Sequence, residues 1–197
     1  MALFKHFFKH IEGLSFIQIG ANDGVRSDFL NKYIKKYHWR GVLVEPLADE
    51  LEKCRKEYAG CGGLEFENVA IAEKAGEREM YVIPEQTVSS AFAPVWRSIS
   101  NAVAEGRTKR VVVPCITFMD LCEKYDIAKL DVLVIDTEGY DYHILKTIDF
   151  GRIKPTVIVY EYKDKHSKVP YAQECLELLA VRGYRFRGFK QNMVAYQ

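Results

Sequence analysis

Apolar residues follow two rhythms along this chain. Leu3, Phe4, Phe7, Phe8 and Ile11 recur at helical spacing, with Lys5, His6, Lys9 and His10 between them. That pattern predicts a short amphipathic helix within residues 1–13, covering one edge of the core. Phe16 to Gly20 is then a short apolar segment running into Ala21-Asn22-Asp23-Gly24, which reads as a buried strand ending in a tight turn. Ser27 to Tyr37 is helical, with Phe29, Leu30, Tyr33, Ile34 and Tyr37 on one face. Gly41 to Glu45 is a second strand, stopped by Pro46, and Leu47 to Tyr58 a second helix. Leu64 to Ile71 suits a third strand, and Glu77 to Ile83 an extra one.

The pattern weakens over residues 84–110, which read as a long loop with a helical piece over Trp96 to Ala104. Loops of that length in compact domains are usually functional. Val111 to Cys115 is another short strand, and Thr117 an N-cap for a helix over Phe118 to Tyr125. Strands follow at Asp131 to Asp136 and Pro155 to Glu161, with helices over Tyr140 to Ile148 and Tyr171 to Val181. Tyr184 to Phe189 and Met193 to Tyr196 flank Lys190-Gln191-Asn192 as a hairpin. This alternation predicts an α/β fold, a mostly parallel sheet with helices on both faces, closed by the hairpin.

Ligands of such sheets bind beyond the carboxyl ends of the strands. Gly20 and Gly24 after the first strand allow a sharp turn and close approach of the backbone. The spacing is not the Gly-x-Gly-x-x-Gly of dinucleotide sites. Glu45 ends the second strand, at the distance of an acid that accepts both hydroxyls of a ribose. Asn68 after the third strand suits a base edge or a strand-end cap. Asp136, Glu138 and Glu161 follow the next two strands. Acids gathered in this way suit a general base, or a divalent metal with oxygen ligands.

Composition narrows the classes. The 197 residues suffice for one domain. Twenty-eight Lys and Arg stand against 27 Asp and Glu, which speaks against a phosphate-backbone binder, so nucleic acid is not expected as a partner. The five cysteines include no Cys-x-x-Cys pair, and suit reduced, buried thiols in a cytoplasmic protein. No apolar run reaches the length of a transmembrane segment.

The blocks FIQIGANDG, VLVEP, ENVAIA, DVLVIDTEGYDYHILK and VIVYE occur in that order from Phe16 to Glu161. Together they resemble the FkbM family of S-adenosylmethionine (SAM)-dependent methyltransferases. The resemblance implies a Rossmann-like class I methyltransferase fold in a single domain over 1–197, and SAM as cofactor with S-adenosylhomocysteine as product. It implies O-methylation of a sugar or glycan hydroxyl, with a polyketide or other small-molecule hydroxyl as the alternative acceptor. Domains of this family also occur fused to glycosyltransferases. By matching position, Gly20, Asn22, Asp23 and Gly24 would line the methionine moiety, and Glu45, followed by Pro46, would hold the ribose. Asn68 and Ala70 would sit near the adenine. Asp136, Glu138 and Gly139 would stand beside the reacting methyl. Asp141 and Glu161 match further acids, and Ser89 and Ser90 a serine pair facing donor or acceptor. Two positions depart from the pattern. Val134 stands where a lysine is frequent, and there is no long N-terminal extension, as in a minimal or excised domain.

A hydroxyl acceptor needs a base, and Asp136 is the first choice, with Glu138 or Glu161 orienting or replacing it. Mg²⁺ between Asp136 and Glu161 is the variant. His143 and His166 are weaker bases by position. The loop 84–110 is the expected acceptor side, with Phe92, Trp96, Tyr140, Tyr142 and Tyr162 as stacking residues. Arg107, Lys109 and Arg110 read as a solvated face. The rivals are a nicotinamide-dependent oxidoreductase, a non-catalytic SAM-binding module and an amine methyltransferase.

Overall fold

A computed structural model describes residues 11–26, 28, 30–87, 90–93, 97–162 and 171–197. The predicted N-terminal helix over 1–13 lies almost wholly outside these residues, as do Ser89, Trp96 and His166.

Seven strands form one sheet: β1 (Ser15–Ile19), β2 (Arg40–Val44), β3 (Leu64–Glu67), β7 (Val132–Ile135), β8 (Val157–Glu161), β9 (Arg185–Phe189) and β10 (Asn192–Tyr196). Their order is β3-β2-β1-β7-β8-β10-β9. The first five are mutually parallel, and β10 runs antiparallel to β8 and β9.

β1, β2, β7 and β8 read as near-continuous apolar runs because both their faces are buried, whereas β3 and β9 mix in exposed charged residues. Ile17, Ile19, Leu133, Ile135 and Ile158 enter one core. Phe16, Val132, Val134, Val157 and Val159 enter the other. Helices cover each side. Tyr33 and Ile34 of α1 (Asn31–Tyr37) and Cys54 of α2 (Ala48–Glu57) pack in the second core. Phe118 and Leu121 of α4 (Phe118–Lys124), Ile144 of α5 (Asp141–Leu145) and Leu179 of α6 (Ala172–Ala180) pack in the first. The α4 start is a reciprocal capping box. The Asp120 N–H donates to Thr117 Oγ1 (3.0 Å) and the Thr117 N–H to Asp120 Oδ2 (3.0 Å). All five cysteines are free thiols and four are buried.

The expected third strand is two strands in two sheets. β3 pairs with β2 only as far as Glu67. Asn68 Nδ2 then donates to the carbonyls of Glu45 (2.9 Å) and Pro46 (3.0 Å), which ties the chain to the exit of β2 and ends the pairing. Beyond it, β4 (Ala70–Ile71) joins β6 (Lys109–Ile116), which pairs with β5 (Gly76–Val82) in a separate three-stranded sheet. The loop after β5 is hooked back by an antiparallel bridge between Tyr81 and Ala91, and α3 (Arg97–Ala104) follows. Arg107 pairs with Glu105 and Arg110 with Glu79 on the exposed surface, as a solvated face does. Among the described residues, no helix is long and apolar enough to cross a membrane.

Gly20 is the tightest point of the sheet edge. Its φ is +82°, and a Cβ there would lie 1.9 Å from the Asp136 carbonyl oxygen. The opposing atom is backbone and has nowhere to go. Gly20→Ala is expected to cost roughly 3 kcal/mol from the left-handed angle and the overlap combined. Urea denaturation measures it, and a loss within about 0.5 kcal/mol, the range of an ordinary surface change, would mean that the backbone there can give way.

Candidate active site

The strand ends converge on a cavity of about 340 Å³, within the range of roughly 300–1,000 Å³ usual for small-molecule sites. Of the residues singled out from sequence, Gly20, Asn22, Glu45, Pro46, Ala70, Ser90, Asp136, Glu138 and Glu161 line it. Asp23, Gly24, Asn68 and Asp141 do not. Asp23 Oδ1 accepts the N–H groups of Val25 (2.9 Å) and Arg26 (2.8 Å), so it shapes the turn after β1. Gly24 packs against Tyr58 and Cys54. Asn68 is the strand-end clamp already described.

Each lining acid has a distinct setting. The Glu45 carboxylate is buried at the end of β2, where Oε2 accepts the Asn22 N–H (2.9 Å) and Oε1 the Leu47 N–H (2.9 Å). Burial nevertheless raises its pKa to about 7, helped by Glu50 and Asp136. Asp136 directly follows β7, and its N–H donates to the Ile19 carbonyl (3.0 Å). Burial raises its pKa above the usual carboxylate range, with Asp141 and Asp28 adding to the rise. Glu138 sits in the turn to α5 with φ 54°, a left-handed angle unusual for a side-chain-bearing residue, and burial, Asp136 and Asp141 all raise it.

Asp141 works from behind. It is 3% exposed and is raised by burial, against the lowering effect of its hydrogen bonds. Its Oδ1 accepts the Thr137 N–H (3.2 Å) and hydroxyl, and its Oδ2 the Glu161 N–H (2.9 Å). One carboxylate therefore ties the turn carrying Asp136 and Glu138 to the end of β8.

The rest of the wall divides by chemistry. Val44, Val69, Ala70, Ile71 and Met80 are apolar, and Thr87, Ser90 and Phe92 come from the loop hooked at Ala91. Phe189 to Asn192, the turn of the last hairpin, closes the cavity. Reasoning from sequence gave this turn no part in the site. The antiparallel direction of β10 was the available signal, because it starts at the edge where β8 ends. Tyr140, Tyr142 and His143 lie outside the lining. His143 stacks on Tyr140 (4.6 Å) with Nδ1 3.6 Å from Glu73, and Tyr142 stacks on Tyr171 (5.2 Å). Among the described residues, no group of three side chains with metal-ligating chemistry comes together.

Four acids at the strand ends, two buried and two half-buried, fix the sign of the pH response. Glu45, Asp136, Glu138 and Asp141 all titrate higher in the folded chain than when unfolded. The folded state then holds the extra protons, so their contribution is fully present below the unfolded value of about 4 and is lost as pH rises through the folded values. For Glu45 that window closes near pH 7. The melting temperature is expected to fall between pH 5.5 and 8, as thermal melts at constant ionic strength would show, whereas a rise would mean that these carboxyls are ionised at little cost.

A Rossmann-like sheet ordered in this way, with an antiparallel penultimate strand and a cavity at the carboxyl edge, defines the class I SAM-dependent methyltransferase fold. The methyltransferase FkbM domain model matches residues 18–186, and the chain belongs to that family, whose methyl donor is SAM. A methyltransferase FkbM from Methylobacillus flagellatus KT superposes with a TM-score of 0.60 at 12% identity. The match covers 98% of this chain and 50% of that one, so the chain spans half the length of that relative. A precorrin-6y C5,15-methyltransferase from Geobacter metallireducens GS-15 superposes with a TM-score of 0.53 at 15% identity, over 100% of this chain and 86% of that one. No protein of curated function matches the sequence significantly.

Proposed function

We propose that the chain transfers a methyl group from SAM to a hydroxyl of a sugar or glycan, with Asp136 as the base. The observation that carries this reading is the half-buried Asp136 carboxyl at the Gly20 turn, lining a cavity shared with Glu138 and Glu161. A polyketide hydroxyl is the alternative acceptor.

The residues present fit the donor. Asn22 Oδ1 is buried, lines the cavity and accepts no hydrogen bond from a described residue, so it is ready for a donor group such as an ammonium. Glu45 keeps lone pairs beyond the two amides it accepts, which suits a ribose diol. Val69, Ala70 and Ile71 suit a purine face. The carboxyl groups of Glu45 and Asp136 beside the Gly20 turn make that end of the wall a poor host for the diphosphate of a nicotinamide dinucleotide.

Bound there, SAM supplies an electrophilic methyl group on a cationic sulfur. The chain's own work is to hold an acceptor oxygen on the far side of that methyl and to remove its proton as the new O–C bond replaces the S–C bond. A carboxyl whose pKa lies near neutrality is matched to that task. Glu138 and Glu161 share the wall, and Asp141 keeps their two turns in register.

The reading is tested by incubating the protein with methyl-labelled SAM and a panel of monosaccharides, oligosaccharides and amines. Label recovered in acid-stable methyl ethers is expected. Label found only in amines would overturn hydroxyl transfer.

A further inference from the structure

The last hairpin differs in charge from the rest of the chain. Residues 182–197 hold four of its 28 basic residues, Arg182, Arg185, Arg187 and Lys190, and none of its 27 acids. Among the described residues, none of the four forms an ion pair. Arg182 lies over Phe150 (4.8 Å), Arg185 over Tyr196 (5.0 Å) and Lys190 beside Phe189 (5.8 Å). Arg182 and Arg185 lie toward the start of β9, at the sheet end opposite the cavity, and Lys190 at the hairpin tip is the one of the four that lines it. A cation on the cavity wall draws anions to that side of it.

The hairpin tip is also where the topology places the far wall. Gly20, Glu45 and Ala70 stand at the β1-β2-β3 side of the sheet edge, Asp136 and Glu161 at the ends of β7 and β8, and the tip beyond them. Asn192 pairs with Glu161 and with Phe189, so Lys190 and Gln191 project past the edge as a two-residue loop. Lys190 holds φ 54°, where glycine is the usual choice. A lysine kept at that angle, exposed and lining the cavity, is in place for a ligand. Gln191 and Asn192 beside it offer amide donors and acceptors.

We infer that Lys190, Gln191 and Asn192 form the acceptor wall of the cavity and select a sugar carrying an anionic substituent, a carboxylate or a phosphate ester. This rests on the methyltransferase reading for the word acceptor, and on the hairpin alone for the anion. The anion sits on Lys190, the amides take neighbouring hydroxyls, and the hydroxyl to be methylated points inward to Asp136.

The test is an amide chemical-shift titration of the ¹⁵N-labelled protein, with S-adenosylhomocysteine present and at constant ionic strength, against glucose, glucuronate and glucose 6-phosphate. Shifts at Lys190 to Asn192 are expected with at least one charged sugar at concentrations where glucose produces none. Whichever sugar acts identifies the anion. Lys190→Glu, an exposed change, is expected to weaken that binding on the order of tenfold while leaving the melting temperature unchanged. The inference is overturned by silent hairpin amides with both charged sugars, by equal shifts with glucose, by the same shifts from acetate or inorganic phosphate alone, or by shifts only with an RNA oligonucleotide. Absence of S-adenosylhomocysteine binding by calorimetry would tell against the donor reading. The hairpin shifts, measured without it, would then decide the anion site by themselves.

Discussion

Asp136→Asn should lower kcat by about 10²- to 10⁴-fold, the usual contribution of a general base, while S-adenosylhomocysteine affinity stays within a few-fold of wild type. Asparagine keeps the shape and the backbone contacts at Gly20 but takes no proton from a hydroxyl. It also removes the ionisable group raised by burial and by Asp141 and Asp28. The fall in melting temperature from pH 5.5 to 8 should therefore become shallower in the variant. Turnover measured beside calorimetric affinity separates the two effects. Full turnover with normal affinity would remove Asp136 as the base, and equal losses in both would make it a binding residue.

Glu45→Ala should weaken S-adenosylhomocysteine by roughly 3 kcal/mol, on the order of 100-fold. Its carboxylate is held at the end of β2 by the Asn22 and Leu47 N–H groups. The change also strips the Asn22 and Leu47 N–H groups of their partner, so some stability is lost with it. Glu45→Gln separates the effects, since one amide oxygen still accepts an N–H and the charge is gone. An intermediate affinity is expected. Affinity that survives Glu45→Ala would place the ribose elsewhere.

The inner parallel strands and the acids at their ends were legible because a sheet buried on both faces writes such a strand as a short apolar run with a polar stop. Glu45, Asp136 and Glu161 are such stops. The second sheet was not legible. The run from Leu64 to Ile71 has no break in pattern, and the chain changes sheets through two hydrogen bonds from Asn68 to the exit of β2. A side-chain bond across 22 or 23 residues leaves no periodic trace. Asp141 is similar. Its acidity was visible, but its contacts with Thr137 and Glu161 depend on α5 packing beside β8. The hairpin turn was legible as a turn and not as a wall, because the rule applied to strand ends looked only past the parallel strands.

The central claim is that the cavity at the carboxyl edge is built for SAM and not for a nicotinamide dinucleotide. The most direct measurement is calorimetric titration of the folded wild-type protein with S-adenosylhomocysteine and, separately, with NADH. The account predicts one-to-one binding of S-adenosylhomocysteine in the micromolar range and none of NADH. Binding of NADH, or no heat from S-adenosylhomocysteine with a protein shown to be folded, would contradict it.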